Sequence, residues 1–135
     1  MWMRIRLGYA SSMLVAMSMN VQAQTGIATY YTTASCQAEG TSGILTASGE
    51  AYDESAMTAA LRGRGFGDSY KVCNQANGRC VTVRHNDYGP GKGPAKRGVV
   101  IDLSPAAYDA LGGTRGCKSW GCYGEISAVT VEKLS

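Results

Sequence analysis

The sequence predicts a mainly β domain, with five or six short strands and one small helix closing into a compact barrel or sandwich. Three observations carry that expectation. Strand-like alternation recurs in short runs rather than long ones. Eighteen of the 135 residues are glycine, so turns are abundant. Only one segment has both the start and the stop signals of a helix. This length supports one domain around one core. With 44% hydrophobic and 17% charged residues, the composition excludes a disordered chain or a long coiled coil.

In chain order, Arg4 and Arg6 precede an apolar stretch from Leu7 to about Met19, and Val21-Gln22-Ala23 has the small-x-small form of a processing site. This pattern reads as an export signal over 1–23. The alternative, a membrane anchor, needs about 20 apolar residues, and Gly8, Ser11, Ser12, Ser18 and Asn20 interrupt a shorter run. The expected mature domain is therefore 24–135, exported to the periplasm or secreted, with no stable membrane span. No cysteine stands beside Ala23 as a lipid attachment point. The whole chain has 13 Lys+Arg and 10 Asp+Glu, a net of +3. Losing Arg4 and Arg6 brings that to +1, and no Lys/Arg run suggests a nucleic-acid partner.

Gly26 to Thr32 is a β-prone run, and Thr33 to Gly49 reads as loop. Ser69–Asn74 and Arg79–Asn86 alternate on either side of Asn77-Gly78, a hairpin signal. Asp87-Tyr88-Gly89-Pro90-Gly91 breaks the second of these strands, and a Gly/Lys/Pro loop follows. Val99–Leu103 is an apolar strand. Ser104 then caps a short helix with Pro105 at its first position and Gly112 as its stop. Glu125–Leu134 alternates as the closing strand. VTVRHNDYG and GVVIDLSPA echo each other, each running from an apolar strand through an Asp into a turn, as an internal repeat would.

All five cysteines (Cys36, Cys73, Cys80, Cys117 and Cys122) fall after the export signal, where the oxidising compartment favours disulfides. Their spacings fit no common zinc pair. Cys73 and Cys80 flank the hairpin turn, and Cys117 and Cys122 could close a small loop, but Cys36 competes for either partner. A thiol nucleophile would need His85, the only histidine, as its base.

Two carboxylates stand out. Glu50 sits in Thr46-Ala-Ser-Gly-Glu-Ala-Tyr-Asp53, a glycine-supported turn, and Asp87 sits where a strand ends at Tyr88-Gly89-Pro90. Two carboxylates in one groove suffice for acid/base work on a glycosidic bond, one protonating the leaving oxygen and the other stabilising an oxocarbenium-like state. Simpler uses compete: an Asx turn for Asp87, an exposed turn for Glu50, a cap or inter-strand bond for Asp102, and a local turn for Asp53. Tyr30, Tyr31, Tyr52, Tyr88 and Trp120 offer flat faces to sugar rings, or else pack the core. His85 lies two residues from Asp87, so an ideal strand points both to one face. There it would hydrogen-bond Asp87 or simply sit on the strand surface.

Gly26-Ile-Ala-Thr-Tyr-Tyr31, Thr46–Asp53, Met57-Thr-Ala-Ala60, Asn77-Gly-Arg79, Val81-Thr-Val-Arg84, Asn86-Asp-Tyr-Gly-Pro90 and Ile101-Asp-Leu-Ser104 occur in that order. Together they resemble the double-psi β-barrel domain of the rare lipoprotein A family, related to expansins and barwin-like proteins, over about Gly26 to Val131. The resemblance implies a single six-stranded double-psi β-barrel with one or two short helices and pseudo-two-fold symmetry. It also implies a lytic transglycosylase of peptidoglycan that favours strands free of stem peptides, cleaves the MurNAc–GlcNAc bond without water and leaves a 1,6-anhydro end. By motif, Asp87 becomes the catalytic acid/base and Glu50 its partner, with Tyr31, Tyr52, His85, Tyr88 and Trp120 facing substrate. No metal or cofactor is implied, and a monomer is expected.

Two departures qualify the resemblance. The family often carries His after Met-Thr-Ala-Ala, where this chain has Leu61, and no C-terminal peptidoglycan-binding repeat is recognisable. The cysteines are closer to the expansin and barwin-like relatives. That leaves two other classes of function: a glycan-binding module that loosens wall without cleaving it, and a secreted module that binds protein.

Overall fold

A computed structural model of the chain describes residues 23–34, 45–63 and 65–134. The expected export segment lies outside these residues except for Ala23, and so does Cys36. The described strands are β1 (Ala23–Tyr30), β2 (Thr58–Leu61), β3 (Ser69–Asn74), β4 (Cys80–Tyr88), β5 (Val99–Leu103), β6 (Gly116–Lys118), β7 (Gly121–Tyr123) and β8 (Glu125–Lys133). Two short helices join them, α1 (Lys92–Lys96) and α2 (Pro105–Ala110). Six strands close a mixed barrel in the order β1-β5-β2-β4-β3-β8, while β6 and β7 form a separate hairpin.

The barrel has an internal symmetry. Exchanging β1 with β4, β2 with β5 and β3 with β8 maps the parallel β1–β5 ladder onto the parallel β4–β2 ladder. The same exchange maps the antiparallel β1–β8 ladder onto β4–β3. This corrects the repeat expected from sequence. The echoing segments are β4 and β5, whereas the symmetry pairs β4 with β1 and β5 with β2.

Closing a sheet on itself turns alternate residues inward. Ala28, Val72, Val83, Ile101, Leu103 and Val129 fill the interior and are almost wholly buried. Helix α2 covers the core with Ala107, Tyr108 and Leu111. Its ends match the sequence signals: Ser104 Oγ accepts from Ala107 N at 3.2 Å, and Pro105 opens the first turn. The amides of Asn74 and Asn77 donate to Leu111 O at 2.9 and 3.0 Å, so the β3–β4 loop caps the helix C-terminus.

Four elements were not legible: the three-residue strands β6 and β7, in what reads as a small loop, and β2 and α1. β2 reads Thr-Ala-Ala-Leu and is buried at all four positions. Flanked by β4 and β5 and covered on both faces, it shows no alternation to detect. Helix α1 stands where a Gly/Lys/Pro loop was expected. Pro94 is tolerated because it falls in the first turn, where backbone N–H groups lack intrahelical partners anyway.

Disulfides join Cys73 to Cys80 and Cys117 to Cys122. In each case the two residues face each other in an antiparallel ladder, which settles the pairing that spacing left open. Replacing Cys73 and Cys80 together by Ala should lower unfolding free energy by about 2–3 kcal/mol, the entropy of closing a short loop. Urea unfolding under oxidising conditions measures this, and an unchanged midpoint would mean that the bridge contributes nothing to the folded state.

Candidate functional site

The site is built on an irregularity in β4. Ala59 of β2 pairs with His85, but Ala60 pairs with Asp87, which leaves Asn86 as an extra residue. Up to that point β4 alternates, with Val83 and His85 inward and Thr82 and Arg84 outward. Continued alternation would have driven Asp87 into the barrel, where an unpaired carboxylate is costly. The bulge absorbs one step, buries Asn86 instead, and turns Asp87 outward at the end of the strand.

Three donors hold the Asp87 carboxylate. Ala47 N and Tyr88 N donate to Oδ1 at 3.0 and 2.9 Å, and the Tyr31 hydroxyl donates to Oδ2 at 3.2 Å. Tyr31 is fixed in turn by Tyr52, whose ring stacks on it at 4.5 Å and 8° and whose hydroxyl donates to Tyr31 O at 2.7 Å. Burial, with Tyr52 and Asp87 adding to it, pushes the Tyr31 phenol far above its ordinary range, so it remains a protonated donor.

Glu50 is carried by another loop, the turn whose Ala47 N donates to Asp87. Leu45 and Ala51 bridge, and Thr46–Glu50 turns tightly between them: Gly49 N donates to Thr46 O at 2.9 Å, with Gly49 at φ +95°. Only glycine adopts that conformation without strain. Ser48 N donates to Asn86 O at 3.2 Å, so the bulge residue docks the turn. Glu50 then faces Arg84 on the outward side of β4 in a bidentate pair, with Arg84 Nη2 to Oε2 at 2.8 Å, while Ser48 Oγ donates to Oε1 at 3.2 Å. The Arg84 guanidinium holds Glu50 below its ordinary carboxylate value. Desolvation opposes this less strongly, and the Ser48 hydroxyl adds to the lowering. Chemically, the arrangement offers one carboxylate kept ionised by a cation and a second gripped by neutral donors.

A model of the lytic transglycolase double-psi β-barrel family matches residues 23–121. The chain belongs to this family. Curated relatives of this lytic transglycolase domain include the probable endolytic peptidoglycan transglycosylase RlpA of Nostoc sp., 46% identical over 87 residues, which is 64% of this chain and 21% of that protein. The endolytic peptidoglycan transglycosylase RlpA of Yersinia pestis is 44% identical over 78 residues, 58% of this chain and 21% of that protein. Its Escherichia coli K12 counterpart is 45% identical over 67 residues, 50% of this chain and 17% of that protein. The chain thus spans about a fifth of the length of the curated relatives it matches.

Of the expected site residues, the structure links Asp87, Tyr31 and Tyr52 directly, and Glu50 to them through the Thr46–Glu50 turn, whose Ala47 N donates to Asp87. Tyr88 donates its backbone N–H to Asp87, while its ring lies 4.8 Å from Phe66 and the residue, 53% exposed, lines a hollow with Arg62, Gly63 and Pro90. His85 does not share Asp87's face. It is 1% exposed, with Nε2 lying 3.2 Å from Leu61 O and 3.0 Å from the backbone carbonyl of Asp87, so it packs under the site and offers no surface to a substrate. The bulge is the reason. Trp120 lines a different hollow, with Tyr30 and Tyr123. Asp102 accepts from Thr29 Oγ1 at 2.9 Å across the β1–β5 ladder, and Asp53 closes its own turn onto Ser55. Leu61, where the family resemblance led to an expectation of His, packs in the core cluster. Sequence reasoning missed Arg84 as Glu50's partner, since the two are 34 residues apart and no local spacing links them.

Because its folded value is depressed, Glu50's pairing with Arg84 is fully formed above the ordinary carboxylate pKa of about 4.3 and is lost as pH falls through the lower folded value. In Arg84→Met the Glu50 carboxyl should titrate close to that ordinary value. Carboxyl-carbon NMR across pH 2–6 reads the shift; an unmoved midpoint would show that Arg84 is not the cause.

Proposed function

We propose that this chain is an endolytic lytic transglycosylase of peptidoglycan, acting on the MurNAc–GlcNAc bond of glycan strands, preferentially those free of stem peptides. The observation that carries the reading is Asp87, re-aimed outward by the bulge and gripped by Tyr31, beside a Glu50 kept ionised by Arg84. Membership of the lytic transglycolase family and the names of the relatives support it. We further propose that Met1–Ala23 directs export and that the domain acts as a monomer in the periplasm or outside the cell.

In this mechanism the acid form of Asp87 gives its proton to the glycosidic oxygen as the bond from that oxygen to C1 breaks. Positive charge develops on the ring, and the ionised Glu50 stabilises it. Asp87, now a carboxylate, takes the proton of the sugar's own 6-hydroxyl, whose oxygen bonds to C1. Water is not consumed, and the product ends in a 1,6-anhydro ring. Tyr31 orients Asp87 throughout, and the Tyr31–Tyr52 stack and Tyr88 supply ring faces beside the bond. His85 supports from below, with both Leu61 O and Asp87 O within reach of its Nε2.

Leu61 favours a second reading. With an apolar side chain where the family resemblance implies imidazole, the barrel would grip glycan without cleaving it, as expansin-like modules do. Incubating the purified chain with sacculi and with amidase-stripped glycan strands separates the two. Mass spectrometry should find anhydro-MurNAc-ended fragments that vanish in Asp87→Asn, a substitution that keeps shape and removes the ionisable group. Reducing-ended products would mean hydrolysis, and glycan retention without products would mean the binding module. Tyr31→Phe should slow release by about tenfold or more, the scale of one hydrogen bond to a charged group, with melting unchanged; wild-type rates in that variant would remove Tyr31 from the site.

A further inference from the structure

Apart from the carboxylate site, β6 and β7 carry a surface that the reaction leaves unused. The hairpin is closed by Cys117–Cys122 and presents Trp120 at its turn, 74% exposed, with Tyr123 47% exposed beside it. The two rings stack, with centroids 5.6 Å apart and planes 18° from parallel. Gly116 faces Tyr123 in the ladder, and a Cβ there would lie 2.8 Å from Tyr123 Cζ. The tyrosine therefore rests on bare backbone, which only glycine permits. A cross-linked hairpin, a ring seated on backbone and a second ring stacked on the first make a stiff, flat, solvent-facing platform. Leaving an indole in water forgoes the burial that stabilises large aromatics elsewhere, and such exposure marks a binding surface.

Three features say what binds. The hollow beside the platform adds the ring of Tyr30 and the polar side chains of Arg115 and Glu125, a mixture that a sugar needs and a lipid tail does not. That rim is braced: Arg115 pairs with Asp109 at 2.6 Å and Arg97 with Glu125 at 2.7 Å. Arg115 is taken up by Asp109 and Glu125 by Arg97, which leaves the Lys118 ammonium on the hairpin as the charge that suits a ligand bearing carboxylates.

We infer that Trp120 and Tyr123 form a second glycan subsite, which stacks a pyranose ring of the strand that Asp87 cleaves, away from the scissile bond, and favours strands with free muramyl carboxylates. This rests on the function proposed above, and the test separates the two. In an Asp87→Asn background of the full chain, equilibrium binding to peptide-free glycan strands is compared with and without Trp120→Ala and Tyr123→Ala, with melting and both disulfides checked. Trp120→Ala should weaken binding about tenfold or more, the loss of one aromatic anchor, while Trp120→Phe retains most of it and neutral chitin oligosaccharides bind more weakly than the carboxylated strands. Equal affinity in Trp120→Ala overturns the platform even if the wild type releases anhydro products. Equal binding of the neutral oligosaccharides overturns its preference for charge. Binding that depends on Trp120, without products from the wild type, upholds the platform and overturns cleavage. A wild type that neither binds nor cleaves overturns both.

Discussion

The site depends on the accommodation of one residue too many between β2 and β4. Because Ala59 pairs with His85 and Ala60 with Asp87, Asn86 has no partner in β2, and the inward-outward rhythm of β4 slips by one step. The slip keeps a charge out of the barrel. It also leaves the Asn86 carbonyl to accept from Ser48, so the turn that carries Glu50 is docked by the same distortion that aims Asp87. A regular β4 would have turned Asp87 inward and taken the Asn86 carbonyl away from Ser48.

Support for this distortion comes from both sides. Underneath, His85 fills space among Phe66 and Tyr70, with Nε2 close to two carbonyls, one of them Asp87's own. Above, Tyr31 and Tyr52 stack and tie down the exit of β1. The closed barrel supplies the stiffness that makes such contacts precise, because each of its six strands is hydrogen-bonded on both edges. Carboxylates placed by packed elements hold their orientation better than ones on a free loop.

The two carboxylates sit in unlike surroundings: Glu50 has a guanidinium for a neighbour and remains charged, while Asp87 is held by a phenol and two amides. The aromatic hairpin is independent of both: it hangs on its own disulfide, and its ladder joins no barrel strand.

The sequence by itself determined the local elements. The alternation in Ser69–Asn74 and Val99–Leu103 and the Ser104–Pro105 helix start are encoded over a few residues, and the order of the motifs along the chain was enough to point to the barrel. Tertiary structure decided what depends on neighbours distant in the chain. Short β2 has no period because it is covered on every side, and Arg84 finds Glu50 only across two strands and a turn. Cys73 and Cys80 pair because the β3–β4 register sets them opposite one another. His85 and Asp87 part company because a bulge is a property of two strands together: it arises where β4 must match β2, and no reading of β4 alone contains it.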